Sequence, residues 1–290
     1  MKYKFIEKHR SLFAVEKMCR ALKISKSGYY AWSFRPKSTR AVANEKLDTH
    51  IKAIYEQSKG SYGSPRITKT LNNQEITCSE NRVADRMRKN GIKAKTKKRF
   101  KVTTNSKHNH PIARNLLNQD FTAQSPDQVW ASDITYIWTR EGWLYLAVIL
   151  DLFSRRIVGW AMSHRLGQDL VLNAFQQALW RRRPRHGIIF HSDQGVQYAC
   201  KAFRNLLKEH KFIQSMSSRG NCYDNAVVES FFHTLKTELV YFETYYTREE
   251  ARNSIFEYIE IFYNRTRMHS TLCYCSPAQY EQRWIDTRVA

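Results

Sequence analysis

The stretch QVWASDITYIWTREGWLYLAVILDLFSRRIVGWAMS, residues 128–163, decides the fold. It holds three runs rich in β-branched and aromatic residues, at 128–139, 144–154 and 156–163, divided by Glu141-Gly142 and by Ser154-Arg155. Such runs, broken by turn residues this short, read as three antiparallel strands in a meander. Downstream the pattern alternates: a helix from about Gln168 to Arg183, a strand at 187–193 (GIIFHSD), a helix near Lys201 to Glu209, and a strand at 212–217 (FIQSMS). Strands connected through helices make the sheet mixed, so the order β-β-β-α-β-α-β predicts an α/β unit with five strands flanked by helices. Long helices from Ala226 to Val240 and from Arg248 to Asn264 close it.

Upstream the composition changes. Of 290 residues, 48 are Lys or Arg and 26 are Asp or Glu, a formal charge of +22. Up to residue 125 the chain has 28 basic and 9 acidic residues; beyond it, 20 and 17, so the two parts carry +19 and +3. An excess of this size, confined to one part, suits a region that grips phosphates. Residues 15–22 and 26–32 read as two short helices around a turn with Ser25 as N-cap, a helix-turn-helix pattern. A second pattern follows, with SPRITKTLN at 64–72 and a helix opened by Ser79 and ended at Gly91. On that last helix Arg82, Arg86 and Lys89 share one face and Val83 and Met87 another, which is what a major-groove helix requires. Lys97, Lys98 and Arg99 continue the basic run, and 101–124 reads as a linker whose His108 and His110 add only polarity. The expected divisions are therefore 1–60, 61–100, the linker 101–124, and a core with C-terminal helices from 125 to 290.

The longest uncharged apolar run, Leu144 to Leu150, is far short of the roughly 20 residues of a membrane span. The six scattered cysteines lack a disulfide or zinc pattern, and the chain is expected to work in the cytoplasm with reduced thiols and no structural zinc.

Three carboxylates stand out. Asp133 interrupts an apolar strand, Asp193 ends one, and Glu229 lies beside the apolar stripe Val228, Phe231, Phe232, Leu235 and Leu239 of a helix. Each has an ordinary explanation: a turn cap or arginine partner for Asp133, a loop start for Asp193, a surface helix position for Glu229. Together they can meet at one sheet edge, where three like charges need a divalent cation, and hard oxygens without His or Cys suit Mg²⁺ or Mn²⁺. Thirty-five residues separate Asp193 from Glu229. His191 and Ser192 are expected to support the Asp193 turn, Asn225 and Asp224 to orient Glu229 or touch substrate, and Asp151 to pair with Arg155 or Arg156.

The segments WASDITYI, GWLYLAVILDLFSRRIVGWAMS, HSDQGVQY and SMSSRGNCYDNAVVESFFHTLKTEL resemble the integrase-like catalytic core of DDE transposases. The closest resemblance is to the OrfB proteins of insertion-sequence family 3 elements. MCRALKISKSGYYAW, YGSPRIT and FYNRTRMHSTLCYCSPAQYE resemble that family's helix-turn-helix regions and closing motif. The resemblance implies a ribonuclease-H-like fold, Asp133, Asp193 and Glu229 holding two Mg²⁺ ions, and Lys236 contacting the DNA end. It also implies nicking and strand transfer at element ends, an OrfA-type partner or fusion, and a homo-oligomer on double-stranded DNA. Two other functions fit parts of the pattern: a DNA-binding regulator of transposition without activity, and a nuclease for RNA–DNA hybrids. Tandem helix-turn-helix patterns disfavour the nuclease, since an A-form hybrid offers no readable major groove.

If the basic region grips phosphates, affinity for duplex DNA falls by roughly 10³-fold between about 50 and 200 mM salt, the behaviour of about six neutralised phosphates. Binding isotherms in a salt series check this, and a flat series removes the basic region as the grip.

Overall fold

The computed structural model describes residues 1–95, 111–218 and 222–289. Lys97, Lys98, Arg99, His108 and His110 lie outside the described residues.

The meander forms as read. Strands β1 (Val129–Thr139), β2 (Gly142–Asp151) and β3 (Ile157–Ser163) pair antiparallel, while β4 (Ile189–Ser192) runs parallel to β1 and β5 (Ile213–Met216) parallel to β4. The sheet order is β3-β2-β1-β4-β5, the mixed five-stranded arrangement expected.

Twelve α-helices are seen among the described residues. Three small ones, α1 (Lys2–His9), α2 (Val15–Ala21) and α3 (Lys26–Ser33), close over Ile6, Met18, Cys19 and Tyr29. Ser25 caps α3, accepting the Gly28 amide at 3.0 Å. Helices α4 (Thr39–Gln57), α5 (Ser64–Asn73) and α6 (Glu80–Lys89) form the second helical group, with Pro65 in the first turn of α5 and Ser79 capping α6. Helix α4 packs against both α5 and α6, so this group begins near 39.

In the core, α7 (Gln168–Arg182), the single turn α8 (Val196–Ala199) and α9 (Lys201–Glu209) cover one sheet face; α10 (Ala226–Glu238) and α11 (Arg248–Phe256) cover the other. A π-helical stretch, Glu257–Tyr263, continues α11, and α12 (Pro277–Val289) ends the chain. Strand alternation assigns the faces: Trp130 and Ile134 point toward α7, Val129, Ala131 and Ile137 toward α10. Leu47, Ile51, Ile54, Ile67, Leu71, Val83 and Met87 of the second helical group belong to the same buried cluster as the α10 face, so that group is built onto the core.

Two further features fix the frame. Glu281 of α12 is buried against Ser154 Oγ (2.7 Å), Arg156 Nη1 (2.6 Å) and Arg182 Nη1 (2.9 Å), and Arg182 also grips Asp127 at the start of β1. Among the described residues no arginine forms an ion pair with Asp151. Its carboxylate accepts the Asp127 and Ser154 amides at 2.7 and 2.9 Å, because Arg156 is drawn to Glu281, and burial pushes its pKa up to about 6. Residues 111–119 of the expected linker also lie on the core: the Leu116 amide donates to Ser215 Oγ, and Asn115 and Gln119 donate to Asp224.

Gly159 of β3 lets α7 approach closely: a Cβ there would lie 2.3 Å from the Ala174 carbonyl oxygen and 2.7 Å from Ala178 Cβ. Both neighbours belong to a packed helix and cannot give way cheaply. Gly159→Ala is therefore expected to cost at least about 1–3 kcal/mol of stability, read as a lower urea midpoint.

Candidate active site

The register between β1 and β4 places Ser132 opposite Ser192, so Asp133 and Asp193 are the next residues on two adjacent parallel strands. Neighbouring strands lie about 4.8 Å apart, and residues in register point to the same face. That is the face covered by α10, where Asp133 is the one charge among Val129, Ala131, Thr135, Ile137 and Thr139. Each acid is held by its own local bond: Asp133 Oδ1 accepts the Ile134 amide at 2.7 Å and Asp193 Oδ1 accepts the Gly195 amide at 2.9 Å. A Cβ on Gly195 would lie 2.9 Å from that oxygen, so a side chain here would push the acid aside.

Glu229 stands in the first turn of α10, exposed, while Val228, Phe231, Phe232, Leu235 and Leu239 are buried as the stripe required. The helix N-terminus favours an anion there. Lys236, two turns on, is half-buried.

Electrostatics links the four groups. Burial pushes the Asp133 carboxyl well above its usual range, the Asp193 and Glu229 charges add to this, and the Ile134 amide and Lys236 oppose it. Burial and then Asp193 also raise Glu229. Lys236 is lowered by desolvation, against the pull of Asp133. The three acids thus repel one another around one lysine. Among the described residues no three His, Cys, Asp or Glu side chains are already gathered as a closed ligand set. Like charges keep apart without a cation between them, and the donor set itself, three hard carboxylates on one face, fits Mg²⁺ or Mn²⁺.

Around the acids runs a buried polar layer. His191 Nε2 faces the Asp224 carbonyl at 2.9 Å, which can only accept, so Nε2 carries the proton and Nδ1 accepts from Ser215 Oγ at 2.9 Å. Burial lowers the His191 pKa, keeping the ring neutral. His191 therefore secures the 3-10 turn Cys222–Asn225 that leads into α10, while Ser192 donates to the Asp193 carbonyl. Asn225, only 5% exposed, donates from Nδ2 to the Ser132 carbonyl at 3.2 Å; its buried Oδ1 has no hydrogen-bond partner among the described residues. A tie the sequence reading missed is Tyr198, whose hydroxyl lies 2.8 Å from Ser132 Oγ, which in turn donates to the Val148 carbonyl. Tyr198 thereby links the segment after Asp193 to the strand residue before Asp133. Its only signal in the sequence was an aromatic five residues past Asp193.

On α6 the expected basic face divides. Arg86 is turned inward, its guanidinium forking onto Asp48 of α4 with Nε–Oδ1 at 2.8 Å, which removes it from a DNA-facing surface. Arg82 and Lys89 remain exposed, Arg82 donating to Asn44 and Lys89 beside Asp85.

A five-stranded mixed sheet with a carboxylate-bearing face, preceded by helical DNA-binding patterns, is the class of the DNA transposases and integrases. Family models agree: residues 123–222 and 229–285 match integrase core domain models, and residues 42–100 match an HTH-like domain. The chain is 45% identical over 285 residues to the transposase InsF for insertion sequence IS3A of Escherichia coli (strain K12), covering 98% of this chain and 99% of that one. It is 42% identical over 267 residues to the insertion element IS600 31 kDa protein of Shigella sonnei, covering 92% and 98%. This chain belongs to the transposase family of the IS3 insertion sequences. Similar solved structures include the catalytic core domain of BIV integrase (18% identity, TM-score 0.42, 57% of this chain and 99% of that). Another is the HTLV-2 integrase catalytic core domain in complex with magnesium (14%, 0.43, 55% and 99%).

Ser132→Ala is expected to destabilise the protein more than Tyr198→Phe, which costs about 1 kcal/mol, because the alanine strands a buried phenol. Adding Tyr198→Phe to Ser132→Ala should then cost little more. A double-mutant cycle in urea measures this, and strict additivity would show the two hydroxyls to be independent.

Proposed function

We propose that this transposase nicks the ends of its insertion element and joins them to new DNA, with Asp133, Asp193 and Glu229 as its catalytic carboxylates. The observation that carries the reading is geometric: the β1–β4 register sets Asp133 and Asp193 side by side on the sheet face covered by α10, the helix that bears Glu229 and Lys236. The acids would hold two Mg²⁺ or Mn²⁺ ions through carboxylate oxygens. Bound there, such ions acidify an attacking water or 3′-hydroxyl and neutralise charge on the leaving 3′-oxygen.

The remaining work falls to the protein. Asp133 and Asp193, fixed by the Ile134 and Gly195 amides, set one wall of the site, and Glu229 closes it from the helix. The Lys236 ammonium would grip a non-bridging oxygen of the phosphodiester at the DNA end. Asn225 Oδ1, a buried acceptor without a partner among the described residues, would be available to a donor on the bound strand or to the attacking water. No covalent intermediate is required, and the Ser132 hydroxyl is already engaged with Val148 and Tyr198.

Double-stranded DNA, as element ends and as target, is the substrate. Arg82 and Lys89 would meet it from α6, and Lys97, Lys98 and Arg99 continue the same basic run in the sequence. A protein that acts on the ends of a bacterial insertion element would work in the cytoplasm, where that DNA lies. Two ends must be handled together, so a homo-oligomer and an OrfA-type partner or fusion complete the proposal.

The deciding experiment incubates labelled element-end duplex with Mg²⁺ and compares the unmodified protein with Glu229→Gln. The substitution should slow nicking by about three orders of magnitude, several kcal/mol of barrier, and leave duplex affinity within a few-fold. Equal products from both proteins would leave a DNA-binding protein without this chemistry.

A further inference from the structure

The YGSPRIT segment, residues 62–68, reads from sequence as part of a DNA-binding helix pair, yet besides the core residue Ile67 two of its polar-tipped side chains, Tyr62 and Arg66, turn toward the protein. The Tyr62 hydroxyl accepts the Met268 amide at 2.8 Å and donates to the Thr266 carbonyl at 3.3 Å. Arg66, from the first turn of α5, lies over the Tyr62 ring at 5.5 Å and brings Nη1 to 3.6 Å from Glu238 Oε1. Glu238 is the last residue of α10, the helix that carries Glu229 and Lys236. The same carboxylate takes a forked pair of bonds from Arg267, at 2.8 and 2.7 Å, and one from the Tyr258 hydroxyl at 2.8 Å.

This cluster is not needed to balance Glu238. Arg267 alone neutralises it, and with Tyr258 it already satisfies both oxygens, so Arg66 is a second cation brought from another part of the chain. Bringing a guanidinium there is costly: burial and the Arg267 charge both lower its pKa. Thr70 Oγ1 on α5 also reaches Met268 Sδ, and Lys59, just past α4, pairs with Glu257, so this part of the helical group is tied to residues 257–268 at several points. Glu229 lies nine residues before Glu238, about 14 Å along a single helix. A shift of α5 is thereby delivered to the catalytic face through one rigid rod.

We propose that Tyr62 and Arg66 are positioning residues that couple the helical DNA-binding group to the catalytic helix, holding α10 in the register that Glu229 and Lys236 need. This rests on the catalytic reading above for its consequence, though the coupling itself can be measured without turnover. DNA taken up by the helical group loads α5, Arg66 passes that load to Glu238, and α10 tightens against the sheet.

The test uses the full chain, a duplex carrying the element end, and the variants Arg66→Met, Arg66→Lys and Tyr62→Phe. Hydrogen exchange over 226–238 is followed with and without duplex, beside duplex affinity and single-turnover nicking in Mg²⁺. In the unmodified protein, duplex should slow exchange in α10. Arg66→Met should keep affinity within about twofold, abolish that slowing, and lower the nicking rate of the bound complex at least tenfold, with Arg66→Lys recovering part of both. Because Arg267 still satisfies Glu238, Arg66→Met is expected to fold, and Tyr62→Phe gives a milder version of the same loss. The proposal is overturned if duplex leaves α10 exchange unchanged, or if Arg66→Met retains the slowing, which would then come from direct contact. It is equally overturned if Arg66→Met weakens affinity while the bound complex nicks at the normal rate, which would make Arg66 a DNA contact. Coupling seen by exchange in a protein that never nicks would uphold the link and remove the catalytic reading instead.

Discussion

The parallel pairing of β1 with β4 is the constraint on which the rest depends. It alone brings Asp133 and Asp193, sixty positions apart in the chain, to neighbouring strands on one face. Four paired residues do this, and they are reinforced from beneath by the Tyr198–Ser132 hydroxyl pair and from above by Asn225 on the Ser132 carbonyl. A slip of one residue in either strand would turn one acid to the opposite, apolar face. The aromatic layer of Trp130, Phe175, Phe190, Phe203 and Phe212 on that opposite face opposes such a slip, since each ring would lose its place.

The third acid comes by a different route. Helix α10 owes its position to Val228, Phe231 and Leu235 beneath it, to the turn His191 secures ahead of it, and to the buried charge cluster at its end. The site is thus assembled from two interior strands, whose geometry is set by backbone hydrogen bonds, and a helix, whose geometry is set by packing. Only the second can be adjusted without breaking the sheet.

Much of this was legible in the sequence. Runs of β-branched and aromatic residues between short turns gave the strands to within about three residues, and an acid inside an apolar strand marked Asp133. What escaped was whatever depends on a partner far along the chain. Arg86 shares a helical face with Arg82 and Lys89, but nothing local says that Asp48 claims it. Residues 111–119 have no period because their order comes from single bonds to Asp224 and Ser215. Helix α4 went unread because it buries only Leu47, Ile51 and Ile54 among many charges. Asp151 was read beside its neighbouring arginines, whereas Glu281, 125 residues beyond Arg156, takes Arg156 away.

That latch at Glu281 has a consequence for how the molecule comes into being. Its partners include Arg182, which holds Asp127 at the root of the first strand, so the contact spans 154 residues of synthesis. At about 5–20 residues per second, a ribosome takes roughly 8–31 s to deliver the far side after the near one. During that interval the nascent protein carries its early cationic portion before the later half can lock. The basic helical portion is thereby finished well before the sheet that carries Asp133 and Asp193 receives its last fastening, a delay written into translation itself.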